Sequence, residues 1–182
     1  RSNRYYFQQV LATNLPYAST LEYDTLTGRA SLYFAAPIRN RNGELVAVLR
    51  KRFDAAVLQD FVVSETGLAG EGSFAVLLDE NYVRLAHGTN REIIYKSVVP
   101  FDPATLATLQ SQRFMPPGTI EELSTNIPDF KAGLDNYENT NYFVAELNVG
   151  GQDPEQVAVV KTQNQPWLVV FAQPQEIYLA PI

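Results

Sequence analysis

Residues 31–52 read SLYFAAPIRNRNGELVAVLRKR, and this stretch decides the fold. From Ser31 to Ala36 the chain alternates Leu32, Phe34 and Ala36 against Ser31, Tyr33 and Ala35, and Pro37 closes the run. Alternation with a period of two marks a strand with two unlike faces, and a proline at its end removes a ladder donor. Asn42-Gly43 is a strong turn signal, since both residues tolerate the positive φ of a tight hairpin. Leu45 to Arg52 follows as a second alternating run, so the spacing predicts an antiparallel hairpin.

Working outward, Phe7, Val10 and Leu11 lie at helical spacing between Arg4 and Leu15, and Pro16 stops that helix. A turn-rich stretch then ends in Thr27-Gly28. On the other side of the hairpin, Asp54 reads as an N-cap, with Phe53 and Leu58 at the spacing of a hydrophobic staple. Val57, Leu58, Phe61 and Val62 would form the buried stripe of the helix it opens. Gly67, Gly70 and Gly72 break the pattern before the apolar run Ser73 to Asp79. Tyr82 to His87 pairs back on that run, with Val83 and Leu85 on one face and Tyr82, Arg84 and Ala86 on the other.

Asp102-Pro103 followed by Leu106, Leu109 and Gln110 predicts a further helix, and Thr119-Ile120-Glu121-Glu122 is a capping box for a short one. Residues 128–141 are polar and rich in Gly and Asn, and are read as loop. Tyr142 to Asn148, Gln156 to Thr162 and Trp167 to Ala172 make three more strands, the last two joined by residues 163–166. The fold class is therefore α/β in the α+β sense, an antiparallel sheet flanked by helices, with an echo between two halves. Residues 1–63 would be an incomplete first module and 64–174 a complete second one. The first lacks the two leading strands that Ser73–Asp79 and Tyr82–His87 give the second, so on this reading residue 1 is not the natural start of the domain.

Composition narrows the function. The 182 residues are 46% hydrophobic, enough for a packed core, and ten Tyr, ten Phe and one Trp suit strands and pockets. A net charge of −6 offers no uniform positive field for phosphate backbones, so nucleic acid is not an expected partner. The charge is uneven: residues 1–91 carry ten basic and nine acidic side chains, and 92–182 carry four and eleven. No cysteine is present, which excludes disulfides, thiolate metal sites and a cysteine nucleophile. No run approaches the length of a membrane helix.

The pattern Arg4-Tyr5-Tyr6-Phe7, then Pro16-Tyr17-Ala18-Ser19, Thr27-Gly28 and Ala36 through Leu49 resembles the Cache family, PAS-like extracytoplasmic sensor domains of bacterial receptors. Gly72 through Asn81, with Leu85-Ala86-His87, resembles the opening hairpin of a second Cache module, so the double-Cache arrangement is the match. The resemblance implies a domain that binds a small extracellular ligand and signals through a membrane helix to a kinase, cyclase or chemotaxis output. It implies a membrane-distal module in 1–63, a membrane-proximal one in 64–174, and a stalk in 175–182 leading to a membrane helix. The parent protein would be membrane-anchored, and a homodimer is compatible with it.

The resemblance also nominates a ligand site. Arg4 with Tyr6 and Phe7 resembles the motif that grips a ligand carboxylate in amino-acid-binding Cache domains, and a guanidinium fork suits that task. Phe7 stands where that motif has a tyrosine hydroxyl, and Ser19 in Tyr17-Ala18-Ser19 stands where it has an aspartate for the ammonium group. An unpaired ammonium in a closed pocket is costly, so a carboxylate or other small polar compound is the expected ligand. Asp24 could supply the missing charge if the loop 20–26 folds inward; a solvated turn is the alternative. Tyr33 is a candidate wall, with core packing as its alternative.

Other features point elsewhere less well. His87 is the sole histidine, and neither a metal set nor a triad is evident around it. Gly70-Glu71-Gly72-Ser73 is not a nucleophile elbow, and Gly67-x-x-Gly70-x-Gly72 lacks the strand and helix of a dinucleotide loop. Arg39, Arg41, Arg50, Lys51 and Arg52 could bind an anion or lipid headgroup, or simply protect a solvated strand edge. The expectation is a sensor rather than an enzyme, with no cofactor and no metal. The competing readings are a soluble small-molecule-binding protein, a structural spacer, and a small hydrolase using His87 with a serine.

Overall fold

The runs on either side of Asn42-Gly43 form the longest pairing in the molecule. In the computed structural model, which describes residues 4–147 and 153–180, the chain opens with α1 (Tyr5–Thr13), β1 (Tyr17–Ala18), β2 (Glu22–Asp24), β3 (Arg29–Arg39) and β4 (Leu45–Asp54). It packs as two compact units, one holding the residues up to Ala56 with Ala107–Pro117, the other Val57–Leu106 and the residues from Gly118 on. This division differs from a contiguous boundary at residue 63. Nearly all of α2 (Ala56–Ser64) belongs to the second unit, and residues 107–117 return to the first.

In the first unit β3 is central: β1 and β2 pair in succession along one side and β4 along the other, all antiparallel. The short strands β1 and β2 lie in the stretch read from sequence as turns. Pro37 does not close β3, which continues to Arg39 with Pro37 opposite Val48. Tyr33 turns its backbone N–H toward Ser19, away from β4, and the two-residue repeat turns position 37 the same way. β1 reaches only as far as Ala35, so the donor that proline lacks has no ladder partner there to lose. α1 ends at Asn14, whose left-handed backbone (φ 56°) returns its N–H to the Val10 carbonyl.

The second unit continues with β5 (Phe74–Leu78), β6 (Arg84–His87), the start of α3 (Pro103–Ser111, whose last five residues belong to the first unit), α4 (Pro128–Asp135), β7 (Tyr142–Ala145), β8 (Glu155–Lys161), β9 (Leu168–Pro174) and α5 (Gln175–Tyr178). Its five strands lie in the order β6-β5-β9-β8-β7, antiparallel throughout. One face of that sheet carries the core: Phe74, Val76, Leu78, Val157, Val159, Val170 and Ala172 pack against Val98, Ile127, Phe130 and Leu134. Of the expected strand Tyr142 to Asn148, residue 148 lies outside the described residues.

Four expectations need correction here. The buried face of α2 is Gln59 and Val62, whereas Val57 and Phe61 are exposed. Residues 128–135 are helical despite their polarity, because Phe130 and Leu134 one turn apart are both fully buried and Pro128 starts the helix. The Thr119/Glu122 box does form, with Thr119 N–H donating to Glu122 Oε2 and Glu122 N–H to Thr119 Oγ1, yet it closes a turn rather than a helix. The faces of β6 are also not those of a regular strand. Arg84 lies opposite Leu78, Ala86 opposite Leu77 and His87 opposite Val76, with a bulge between, so Arg84 and His87 share the core-facing side. The expected Asp102 cap is present: its Oδ1 accepts the Ala104 and Thr105 amides at 3.0 Å.

Candidate functional site

Most of the residues nominated from sequence meet in the first unit. α1 lays Tyr6 and Val10 on Tyr33 and Ala35 of β3, with Phe7, Tyr17 and Val48 at the margin. Tyr6 and Tyr33 stack with ring centroids 5.5 Å apart. The Arg50 guanidinium lies 5.4 Å and 5.0 Å from the two ring centres and donates from Nη1 to the Tyr6 hydroxyl at 3.2 Å. This is a cation held by two aromatic faces and one hydroxyl. Sequence reading left Arg50 among cations of the hairpin surface.

Arg4 belongs to an adjoining cleft. It occupies the N-cap of α1 with extended backbone, and its side chain caps nothing. A cation there meets the positive end of the helix dipole, and the first turn holds no acid to offset it. Glu22 on β2 does so instead, its Oε2 lying 3.8 Å from Arg4 Nη1. The Glu22 side chain is 7% exposed, and its Oε1 is buried without a hydrogen-bond partner among the described residues. Burial raises its carboxyl above the ordinary range, against the pull of Arg4, Arg113 and Arg50.

Arg4, Tyr5, Gln8, Glu22, Ser111, Gln112 and Arg113 line this cleft, which has a volume of about 460 Å³. Its far wall comes from the segment after α3. The Arg113 carbonyl accepts the Tyr23 amide at 2.6 Å, and the Phe114 ring meets Tyr5 edge-on at 5.8 Å, so that segment is tied to both β2 and α1. Chemically, Arg4 and Arg113 make the cleft cationic beside one mostly buried carboxylate. The arrangement suits a small molecule with an anionic end and a hydrogen-bond donor.

The remaining nominees lie elsewhere. Ser19 is buried, and its hydroxyl accepts the Tyr33 amide at 2.8 Å, which pins β1 to β3. Asp24 does not fold inward. It organises the turn before β3, where hydrogen bonds from Leu26 and Thr27 hold its carboxyl below the usual range. Glu22 and Arg113 went unrecognised: Glu22 sits in a stretch without readable periodicity, and Arg113 is remote in sequence from everything it joins. No group of metal-binding side chains is present among the described residues.

No family model matches the sequence, and no curated protein matches it. Solved structures do match. The extracellular domain of the histidine kinase mmHK1S-Z2 superposes with a TM-score of 0.65 at 15% identity, over 98% of this chain and 58% of that one. The sensor domain of the V. cholerae histidine kinase DctB gives 0.61 at 16% identity over 96% and 61%. The ligand-binding domain of the Pseudomonas aeruginosa amino acid chemoreceptor PctC, in complex with GABA, gives 0.54 at 16% over 94% and 61%. The chain thus spans about three-fifths of the length of the chains it matches, and it has the mixed antiparallel fold of these bacterial sensor domains.

Proposed function

We propose that this chain is the extracytoplasmic ligand-sensing region of a bacterial transmembrane receptor, of the histidine-kinase, cyclase or chemoreceptor kind. The observation that carries the reading is the cleft lined by Arg4, Arg113 and Glu22, with Arg4 Nη1 3.8 Å from Glu22 Oε2. Its ligand is a small carboxylate that also bears a hydroxyl or amine, the carboxylate facing the arginines and the donor facing Glu22. GABA, bound by one structural neighbour, has this chemistry. The first unit then serves as the membrane-distal module and the second as the membrane-proximal one, with the residues from Gln175 on as the stalk.

A ligand that prefers one packing of α1 and residues 107–117 on the sheet would shift the population of receptor states, and only that differential affinity can signal. The test is a thermal-shift screen of the 182-residue chain against amino acids, ω-amino acids and hydroxy acids. A binder should raise the melting temperature of the parent and lose its effect in Arg4→Ala and Arg113→Ala. A binder that stabilises both variants as strongly as the parent would remove the cleft from consideration.

A further inference from the structure

The sheet of the second unit has a second face. Val157, Val159, Val170 and Ala172 point into the core, so their strand neighbours Gln156, Ala158, Phe171 and Gln173 lie on the opposite side. Register sets Tyr142, Ala158 and Phe171 in one row across β7, β8 and β9, with Gln156 beside Gln173 two residues along. A pocket of about 180 Å³ opens on this face, and its lining includes Tyr142, Gln156, Ala158, Phe171, Gln173 and Tyr178. Tyr178 comes from α5, which contacts β8 and β9, and both tyrosines are exposed.

The row explains the opening. Neighbouring strands run about 4.8 Å apart, so two strand spacings, about 9.5 Å, separate Tyr142 from Phe171, and between them Ala158 supplies only a methyl group. A group centred over Ala158 stands about 5 Å from each aromatic side chain, inside the roughly 6 Å over which a ring face attracts a cation. The electrostatics favour positive charge as well. None of the lining residues is Lys, Arg or His. The two glutamines commit an amide hydrogen to backbone carbonyls, Gln156 Nε2 to Phe143 at 3.2 Å and Gln173 Nε2 to Glu71 at 3.0 Å, which leaves the acceptor Oε1 as the other end of each amide. Residues 118–182 carry nine acidic side chains against Lys131 and Lys161 alone, so the surrounding field is negative.

From three aromatic side chains around an alanine floor, in a pocket without a cation, we propose that the outer face of the second sheet binds a trimethylammonium group of choline type, free or on a lipid headgroup. The volume is below the roughly 300–1,000 Å³ of pockets for drug-sized ligands, which suits so small a group. A primary ammonium would lose its hydration to a pocket that has no carboxylate among its lining residues, whereas methyl groups need no acceptor. A carboxylate on the ligand finds no arginine here either, so choline is preferred to glycine betaine. The site lies wholly in the second unit and is independent of the Arg4 cleft.

Amide spectra of the ¹⁵N-labelled chain are followed during titration, at constant ionic strength, with choline, tetramethylammonium, glycine betaine and 3,3-dimethylbutan-1-ol, the neutral isostere of choline. Choline and tetramethylammonium should give saturable shifts at residues 156–158 and 171–173, with betaine and the alcohol about fivefold weaker. Ala158→Leu fills the gap between the rings and should abolish the shifts. Tyr142→Ala should weaken binding about fivefold, Tyr142→Phe, which keeps the ring face, should bind like the parent, and Arg4→Ala should change nothing. If Ala158→Leu does not fold, Tyr142→Ala, at an exposed position on the edge strand, carries the test. Phosphatidylcholine vesicles that sediment with the parent but not with the variant identify a lipid source, and choline shifts without vesicle capture identify a free solute. The proposal is overturned if neither choline nor these vesicles are bound, if the neutral alcohol binds as tightly as choline, or if Ala158→Leu and Tyr142→Ala respond like the parent. Shifts at the same amides that follow protein concentration and that choline does not reverse would give the face to a second copy and reject the ammonium site.

Discussion

The side-chain amide of Gln59 is hydrogen-bonded twice to the backbone of His87, donating from Nε2 to its carbonyl at 2.8 Å and accepting its N–H on Oε1 at 2.9 Å. β6 is the edge of its sheet, and a glutamine on α2 stands where a neighbouring strand would bond. A buried edge strand needs such a partner for its donor and acceptor.

Replacing Gln59 by leucine should therefore cost far more than the change in apolar volume suggests. Two buried backbone groups lose their partners, and urea unfolding should read a loss of about 2–4 kcal/mol. Gln59→Glu, which keeps the shape but loses the donor, should fall between leucine and the parent at neutral pH.

A Cβ at position 133 would collide with the Phe143 ring, so one of the two must shift. Gly133→Ala should destabilise the second unit by about 1–3 kcal/mol through overpacking. Adding Phe143→Leu should recover part of that loss, giving a favourable coupling in a double-mutant cycle. Simple additivity of the two changes would contradict the close approach.

Asp79 and His87 should impose opposite pH slopes. Burial pushes the Asp79 carboxyl from 3.8 up to about 7, so between those values the folded chain keeps a proton that the unfolded chain has lost, and stability falls as pH rises. Burial and Arg84 push His87 from 6.5 down to about 4, so over that range the unfolded chain binds the extra proton and stability rises with pH. Each slope approaches about 1.4 kcal/mol per pH unit, and from pH 4 to 6.5 they nearly cancel. Asp79→Asn should leave a chain that gains stability as pH rises through this window, and His87→Gln one that loses it. Urea midpoints at half-unit intervals of pH would show parallel curves if either assignment is mistaken.

Glu22→Gln separates stability from binding in the first cleft. The carboxyl is raised by burial, so a neutral isostere should remove a desolvation cost and leave the melting temperature at neutral pH equal or higher. Affinity for an amine-bearing carboxylate should drop by at least tenfold in titration calorimetry, with simple carboxylates less affected. Equal affinity for an amino acid in both proteins would detach Glu22 from recognition.

The antiparallel fold was legible because Asn42-Gly43 and the alternating runs around it leave few other pairings, and because Asp102, Pro103 and Phe74 through Leu78 carry strong local signals. The features that escaped depend on distance in sequence. Residues 128–135 look polar, and only the burial of Phe130 and Leu134 against the second sheet makes them a helix. The bulge that turns Arg84 inward leaves no mark in the alternation of Val83, Leu85 and His87. Of the residues lining the cleft, Arg4 could be nominated from local pattern, whereas the nominated Tyr6 and Tyr33 are stacked in the core beside it, and Arg113 joins Arg4 only because the chain returns after α3.

The outer margin of β4 carries no strand partner among the described residues, and one face of the β3–β4 hairpin shows Phe34, Ile38, Leu49 and Phe53 to solvent. Such a rim invites like-to-like fibril growth. Arg50, Lys51 and Arg52 act as its gatekeepers, since antiparallel union of two copies centred on Lys51 would set each arginine against the other's arginine. Repulsion of that kind fades as counter-ions shorten its range to about 8 Å at physiological strength. Light scattering from the isolated chain should consequently climb with added salt, and Lys51→Glu should make the climb begin sooner.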